Sequence, residues 1–376
     1  MKFKLYFENL DALRFIAFFM VYISHGFNPI LNISYPESYL LNLLDGMGGQ
    51  GVSVFFVLSG FLITYLILQE IRINGRLDIK AFYIRRTLRI WPLFYIVLFH
   101  GFVFYPLINS LFSNDISFCG IPSLNFIFLN NFDVLHQLLN KESCYNSYYT
   151  ITWSVAIEEQ FYLIWPLFFY LFSPKKFIHF FVLILSANLL FRVIYAGNAY
   201  ISYFHTMGVM GDLALGGLSA YLILNSDQFK LFFEKLENRF RIIIYFFGIL
   251  VFLHRNYIFS FEYALVLKRL TLTLFYAFLI LDQNFSKSTL FKLKKLRFMG
   301  YLGKYTYGLY LLHPMAILYV KNVLDKLGVV YQSAVFGAII VAIFGLMLSF
   351  LLSYISYHYF ESYFLRLKTR FAYITK

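Results

Sequence analysis

Ionisable side chains inside long apolar segments are the first residues of this sequence that could do chemistry. Near the start of the chain, Asp11, Arg14 and His25 lie within the segment LDALRFIAFFMVYISHG. Because the eleven residues from Arg14 to His25 make three helical turns plus roughly 20°, both side chains would share one face, about 16 Å apart. Charges in such segments are costly unless they are paired or hydrated. We interpret this helix face as the lining of a path that leads from the cytoplasm to His25, deep in the membrane. The alternative is that Asp11 and Arg14 anchor the helix at the membrane interface, and that His25 is a hydrogen-bonded residue with a packing role only.

A pair of glutamates and a second histidine are expected near the depth of His25. Glu158 and Glu159 lie in ITWSVAIEEQFYLIWP, and His313 lies in YLGKYTYGLYLLHP. A carboxylate next to a histidine orients the ring and makes it a stronger general base. We therefore predict that His25 is a catalytic base oriented by Glu158. Glu159 is either a supporting residue or an interfacial one, and His313 is either catalytic or structural.

Three arginines precede another apolar segment, in YIRRTLRIWPLFY. Arg86 and Arg89 are three residues apart and would share a helix face, with Arg85 beside them. Guanidinium groups in such a pair suit a phosphate-bearing ligand on the cytoplasmic side. Arginines at this place are also ordinary signals of membrane topology, and the spacing leaves both interpretations open.

Small residues occur in the middle of two further apolar segments. Ser59 and Gly60 lie in GVSVFFVLSGFLI, and Gly216 lies in MGDLALGGLSAY. Small residues at such positions predict close contact between helices. Ser59 is also a candidate for a supporting place in the site.

The cysteines and the absence of known motifs limit the kinds of reaction that this sequence could support. The two cysteines, Cys119 and Cys144, are expected in one outer loop. A disulfide between them would fit an oxidising exterior, and two free thiols fit the sequence equally well. The sequence contains no CxxC, HExxH, GxSxG or GxxxxGK[ST] pattern, so we expect no bound metal, serine hydrolase site or nucleotide-hydrolysing loop.

The elements that would position these residues are membrane-spanning helices. Hydrophobic residues make up 60% of the 376 residues and charged residues only 14%, which is far from the composition of a soluble domain. A bilayer core needs about 20 apolar residues per helix. We predict an all-α integral membrane protein of about ten helices, at residues 10–28, 52–68, 90–108, 153–172, 177–194, 206–224, 241–253, 263–281, 301–320 and 333–359.

The positive charge fits a membrane partner better than a nucleic acid. The formal net charge is +13, but most lysines and arginines fall in alternate connecting segments. This bias predicts that both termini are cytoplasmic. We expect a single membrane domain over residues 1–376, with an outer loop at about 109–152 and no separate soluble domain.

Five blocks of the sequence, in order, resemble the signatures of one family. They are LDALR followed by His25, GVSVFFVLSGFLI, RRTLRIWPLFY, WSVAIEEQFYLIWP and LGKYTYGLYLLHP. Together they resemble the acyltransferase 3 family of multi-pass membrane proteins, which O-acylate carbohydrates at bacterial surfaces. Ala12 replaces a glycine that is usual in the first block.

The resemblance implies both substrates and their sides of the membrane. The donor is acyl-CoA, with acetyl as the expected acyl group, and it binds from the cytoplasm as a co-substrate without any permanently bound cofactor. The acceptor is a hydroxyl of a surface or lipid-linked carbohydrate at the outer face of a bacterial cytoplasmic membrane.

The resemblance also implies residue roles. His25 is catalytic, Glu158 is the more characteristic of the two glutamates, and Arg14 with the pair Arg86 and Arg89 handles the donor. We predict that the nucleotide end of acyl-CoA docks on these arginines, Arg85 included. Direct transfer and a covalent acyl-histidine remain alternatives. The competing hypothesis is a transporter of glycans or lipid-linked sugars, with the same charges along its pathway.

Overall fold

The computed structural model describes residues 3–4, 6–34, 39–110, 120–141, 148–260, 263–287, 289–329, 334–372 and 374–375. The described chain is helical except for one parallel pair of two-residue strands, β1 (Phe3–Lys4) and β2 (Ile374–Thr375). Cys119 and Cys144 lie outside the described residues, so the disulfide stays a prediction.

The helices follow one another with short connections. In the described part of the chain the α-helices are α1 (Glu8–Ser34), α2 (Tyr39–Asn74), α3 (Ile79–Phe99), α4 (Tyr105–Ser110), α5 (Pro122–Phe126), α6 (Asn130–Leu139), α7 (Thr152–Leu171), α8 (Phe177–Ile194), α9 (Ala199–Phe204), α10 (Thr206–Asn225), α11 (Asp227–Lys235), α12 (Asn238–Ile258), α13 (Ala264–Phe285), α14 (Arg297–Leu302), α15 (Thr306–Lys326), α16 (Ala334–Ile355) and α17 (Ser362–Lys368). Two π-helical turns, His100–Phe104 and Ser356–Glu361, continue α3 and α16, and short 3₁₀ turns join other helices.

Seven helical segments among the described residues are long and apolar enough to cross a membrane. They cover residues 8–27, 46–74, 79–107, 174–194, 199–225, 238–258 and 335–371. The chain is therefore a multi-pass membrane protein. The other three predicted spans form helices of 20, 22 and 21 residues, α7, α13 and α15. Ten crossings and cytoplasmic termini thus stay predictions.

Helix α2 packs between α1 and α10 at the centre of the bundle. Two glycines allow the backbones of α2 and α10 to meet. A Cβ atom on Gly216 would collide with the carbonyl oxygen of Val57, and one on Gly60 would collide with that of Leu213. The predicted close contact between these helices is confirmed at both glycines.

Buried ion pairs join α13 to its neighbours. Arg269 on α13 donates to both carboxylate oxygens of Asp212 on α10, at 2.7 to 3.1 Å. Arg241 on α12 pairs with Asp282 on α13 at 2.7 Å, and both side chains are wholly buried. Because each charge has a partner, these residues can lie among apolar helices.

The described part of the predicted outer loop folds against the bundle. Asp133 on α6 is buried and accepts hydrogen bonds from the backbone N–H of Ile121 at 3.0 Å and from the Asn125 side chain at 2.5 Å. Asn130 donates to Thr152 at the start of α7, at 2.8 Å. This network fixes the end of α7 that leads into the candidate site.

Candidate functional site

His25 on α1 and His313 on α15 bring together two imidazole rings from distant parts of the sequence. His25 Nδ1 lies 2.8 Å from His313 Nε2, and the ring planes are nearly parallel with centroids 5.1 Å apart. His25 is half-buried, whereas His313 is wholly buried. The two histidines that were expected at a similar depth are therefore in direct contact.

The position of His313 is determined by its own helix and by aromatic neighbours. Its Nδ1 lies 2.8 Å from the carbonyl oxygen of Tyr310 and 3.1 Å from that of Leu309. The rings of Phe18, Tyr22 and Tyr310 surround it at centroid distances of 5.7 to 6.0 Å. These contacts leave the His313 ring little freedom to rotate.

Glu158 has a different partner from the one that the sequence predicted. It accepts a hydrogen bond from Tyr162 at 3.3 Å, and the Tyr162 hydroxyl also contacts that of Ser59. Among the described residues, the side chain that hydrogen-bonds to His25 is His313. The structure thus does not join Glu158 to His25, and His313 orients the ring instead.

The register of α7 against α15 explains this difference. Ser154 on α7 contacts the Tyr310 hydroxyl on α15 at 2.7 Å, and Tyr310 precedes His313 by three residues. Glu158 follows Ser154 by four residues, which is ~6 Å along α7. The α7 side chain next to the neighbours of His313 is therefore Ser154 and not Glu158.

Arg86 and Arg89 are cations without an ion-pair partner among the described residues. The Arg86 guanidinium stacks on the ring of Tyr162 at 5.6 Å, and its Nε is buried and makes no hydrogen bond to a described residue. Arg89 interacts electrostatically with Arg14 on α1. Guanidinium groups in this state are suited to an anionic ligand such as a phosphate.

Arg85 lies on another face of α3 and has a structural partner. It donates to Glu70 on α2 at 2.7 Å and to the carbonyl oxygen of Phe371 at 2.8 Å. Adjacent helical residues point about 100° apart, so Arg85 turns away from Arg86. The predicted role of Arg85 in donor binding is therefore not supported by these contacts. Its guanidinium instead connects α3 to α2, through Glu70, and to the carbonyl oxygen of Phe371.

Asp11 anchors Arg14 at the N-terminal end of α1. Asp11 accepts from Arg14 and from the Tyr6 hydroxyl, both at 2.5 Å. Partial burial and the hydrogen bond to Asp11 raise the pKa of Tyr6 to about 12, so the hydroxyl stays a donor at neutral pH. One carboxylate therefore holds the Arg14 side chain in place.

Glu159 points away from the cluster around Glu158. Its Oε2 accepts a hydrogen bond from the Trp91 indole on α3 at 2.8 Å. The Trp91 side chain is 36% exposed on the outside of the bundle. The other oxygen of Glu159, Oε1, is buried and accepts no hydrogen bond from a described residue. Both interpretations of Glu159 therefore stay open.

The inward-facing side chains form a line that we call the polar track. Both of its ends lie on α1, about 16 Å apart along the helix axis. Arg86 stacks on Tyr162, whose hydroxyl contacts Ser59 and donates to Glu158. One helical turn away on α7, Ser154 contacts Tyr310, which packs on His313 beside His25. Arg14 and Arg89 interact electrostatically at the other end. The members of the polar track are Arg14, Arg86, Arg89, Ser59, Tyr162, Glu158, Ser154, Tyr310, His313 and His25.

Sequence reasoning missed several residues near the track. Tyr162 follows Glu158 by four residues and Tyr310 precedes His313 by three, so helical spacing could have identified both. Glu361, in the π-helical turn after α16, is buried, accepts from Ser356 at 2.8 Å and interacts electrostatically with Arg89. The sequence feature that could have identified Glu361 is the presence of a carboxylate at the end of a long apolar segment.

The arrangement combines anion-binding groups at one end with a base at the other. An imidazole can remove a proton from a hydroxyl group or carry an acyl group itself. Across the described residues, no group of three or more His, Cys, Asp or Glu side chains could hold a metal ion. The chemistry that this part of the chain offers is proton or acyl transfer at a histidine.

Similar proteins carry names that agree with this chemistry. The peptidoglycan O-acetyltransferase OatA of Listeria monocytogenes is 35% identical over 178 residues, which are 44% of this chain and 25% of that protein. The O-acetyltransferase OatA of Staphylococcus aureus strain NCTC 8325 is 31% identical over 229 residues, which are 58% of this chain and 35% of that protein. The chain thus spans about a quarter to a third of the length of these relatives. No solved structure matches it.

A family model covers almost the whole chain. The model described as an acyltransferase domain, Acyl_transf_3, matches residues 7–358, which include every member of the polar track. The chain belongs to the acyltransferase 3 family.

Proposed function

We propose that this chain transfers an acetyl group from acyl-CoA, bound from the cytoplasmic side, to a hydroxyl group of a cell-wall carbohydrate at the outer face. The observation that carries the proposal is the polar track, which connects two cations without ion-pair partners in the described chain to a pair of histidines. Family membership supports the reaction class. The relatives named as peptidoglycan O-acetyltransferases support a carbohydrate acceptor.

The arginine end of the track would bind the donor. Arg86 and Arg89 would contact the phosphates of acyl-CoA, together with Arg14, which Asp11 holds in position. The extended pantetheine arm would follow the track towards His25. Such an arrangement would stabilise the phosphates electrostatically and leave the thioester as the group that reaches the histidines.

The reaction would take place at the ring nitrogen of His25 that faces away from His313. His25 Nε2 takes the proton from the acceptor hydroxyl as the oxygen attacks the thioester carbonyl. The tetrahedral intermediate then collapses, the C–S bond breaks, and the CoA thiolate takes the proton from the imidazolium. The products are the acetyl ester and free CoA. In the covalent route, the same nitrogen first attacks the thioester carbonyl, the C–S bond breaks and the CoA thiolate leaves. The acceptor hydroxyl then attacks the acyl-histidine, its proton passes to the thiolate, and the neutral histidine is restored.

The proposal requires a defined topology. Both termini and the arginine end of the track would face the cytoplasm. Helices α7, α13 and α15 would cross the membrane in addition to the seven apolar segments. The excess of lysine and arginine in alternate connections supports this orientation.

The deciding experiment is acetyl transfer in inside-out membrane vesicles that carry either the native chain or His25→Ala. Acetyl-CoA labelled in the acetyl group is supplied, and label on peptidoglycan precursors or total surface glycan is measured together with free CoA. We expect label and CoA to rise in step with the native chain only. Equal labelling by a correctly inserted His25→Ala variant would show that His25 is not the catalytic base. Movement of glycan across the membrane without CoA release would favour a transporter.

A further inference from the structure

We propose that His313 is a positioning residue that fixes the tautomer of His25, so that Nε2 of His25 is the reacting atom. The catalytic consequence of this inference rests on the proposed function, whereas the tautomer follows from hydrogen-bond geometry. Three consecutive hydrogen-bonding groups determine this tautomer: the backbone carbonyls of α15, the ring of His313 and the ring of His25.

The backbone of α15 determines which nitrogen of His313 carries a hydrogen. Nδ1 of His313 lies 2.8 Å from the carbonyl oxygen of Tyr310 and 3.1 Å from that of Leu309. A carbonyl oxygen only accepts hydrogen bonds, so Nδ1 must be the donor. Both carbonyl groups belong to the preceding turn of α15. The backbone of α15 itself therefore determines that Nδ1 is the donor.

The ring of His313 passes this constraint to His25. A neutral imidazole has one N–H group, so a hydrogen on Nδ1 leaves Nε2 of His313 with a lone pair. The 2.8 Å contact between this Nε2 and Nδ1 of His25 then requires the hydrogen to be on His25 Nδ1. The remaining nitrogen of His25, Nε2, therefore carries the free lone pair.

The opposite arrangement would need a charged His313. An imidazolium at His313 could donate from both of its nitrogens and would leave the hydrogen of His25 on Nε2. However, His313 is 0% exposed and is surrounded by the rings of Phe18, Tyr22 and Tyr310. No carboxylate among the described residues forms an ion pair with it. An isolated buried cation is costly, so the geometry favours the neutral form.

His313 would also stabilise His25 during the reaction. When Nε2 of His25 accepts a proton or an acyl group, the ring becomes positive and its Nδ1–H bond to His313 becomes charge-assisted. A carboxylate in the place of His313 would have the same effect, as Asp does in a serine protease triad. A neutral imidazole performs this role without a second charge inside the membrane.

The kinetic test compares two substitutions of His313. His313→Phe keeps a ring but removes the acceptor, and we expect it to lower kcat on the order of 100-fold, the scale of general-base contributions. The KM for acetyl-CoA should not change, because the arginine end of the track is untouched. His313→Gln restores an acceptor oxygen and should recover about tenfold over His313→Phe, the scale of one charged hydrogen bond.

The matched control is His100→Phe. His100 contacts the Tyr319 hydroxyl at 2.8 Å, outside the polar track, so this variant should retain native kinetics. A native kcat in His313→Phe, or no recovery in His313→Gln, would overturn the positioning role.

A spectroscopic test is independent of activity. In protein labelled with ¹⁵N-histidine, the His25 signals are identified by their loss in His25→Ala. We expect a protonated Nδ1 and an unprotonated Nε2 in the native chain, and a change of both signals in His313→Phe. A protonated Nε2 on neutral His25 would overturn the inference. The expected tautomer in a protein that transfers no acetyl group would contradict the proposed function alone.

Discussion

At the scale of single residues, the most informative side chains are two arginines that form no ion pair with a described residue. A guanidinium group inside a membrane is stable only with hydration, an ion pair or a bound anion. Arg14 has Asp11, and Arg85 has Glu70. Within the described chain, Arg86 and Arg89 have no such ion pair. Glu158, Glu159 and Glu361 interact with these two guanidinium groups electrostatically without forming an ion pair. The guanidinium N–H groups donate no hydrogen bond to a described residue, which is why these two arginines support a phosphate-bearing donor.

Arg89→Gln should weaken binding of acetyl-CoA while leaving the chemical step intact. Loss of a charge-assisted hydrogen bond of about 1.5–3 kcal/mol would raise KM roughly 10- to 100-fold. The measurement compares acetyl-CoA with S-acetyl-pantetheine, a thioester that lacks the phosphates. KM for the second donor should be the same in the native chain and in Arg89→Gln.

The control for this prediction is Arg85→Gln. It removes a neighbouring arginine whose partners are Glu70 and the Phe371 carbonyl, and it should leave KM for acetyl-CoA unchanged. A rise in KM of equal size for both donors in Arg89→Gln would argue against phosphate binding by Arg89.

At the scale of helices, buried charges hold α12, α13 and α10 in place. Asp282 accepts from Arg241 at 2.7 Å, from Tyr245 at 2.9 Å and from Ser286 at 2.7 Å, and it is wholly buried. Its removal would leave the Arg241 guanidinium as an uncompensated charge. The chain would then lose the contact that fixes the direction of α12 against α13.

Asp282→Ala should reduce the free energy of unfolding by about 3–5 kcal/mol, the usual cost of breaking a buried ion pair on one side. The measurement is thermal unfolding in detergent, followed by fluorescence or by loss of monodisperse protein. Glu237→Ala is the matched control, because the pair of Glu237 with Arg239 is 59% and 70% exposed. It should change stability by at most ~1 kcal/mol. Equal effects of the two substitutions would refute the structural role of Asp282.

Gly216→Ala should separate α2 from α10. A methyl group at Gly216 would collide with the Val57 carbonyl oxygen, so the backbones must move apart at an expected cost of about 1–3 kcal/mol. Gly300→Ala, on α14, is the control, since a Cβ atom there meets nothing within 4 Å. It should be neutral or stabilising by ~0.4–1 kcal/mol. The measurement is the thermal stability of the two variants in detergent. An unchanged stability of Gly216→Ala would show that α2 and α10 can accommodate the methyl group.

Periodicity within a helix was predictable from the sequence, whereas contacts between helices were not. The single helix α1 carries both Arg14 and His25, as their spacing predicted. The partner of His25 depends on how α1 meets α15, and His25 and His313 are 288 positions apart. Similarly, the partner of Glu158 depends on the register of α7 against its neighbours. A shift of one helix along its neighbour changes the partner of a side chain while leaving the periodicity of both helices intact.

At the scale of the whole molecule, the polar track gives the bundle two chemically different ends. One end has the arginines of α3 and the N-terminal turn of α1, and the other has the two histidines. Helix α6, in the predicted outer loop, lies against α7 and is joined to it by the hydrogen bond of Asn130 to Thr152. A bundle of this kind would allow donor and acceptor to approach from opposite sides without meeting in either compartment.

Acetyl transfer should therefore depend on the side from which acetyl-CoA is supplied. In sealed inside-out vesicles, whose cytoplasmic face is outside, acetyl-CoA should label glycan enclosed in the lumen. In sealed right-side-out vesicles, the same donor should give no label, because CoA does not cross the bilayer and the proposed topology directs the arginines towards the lumen. Detergent at a permeabilising concentration should make the two preparations equal. Transfer in sealed right-side-out vesicles would place the donor site on the outer face, and it would reverse both the topology and the direction of the polar track.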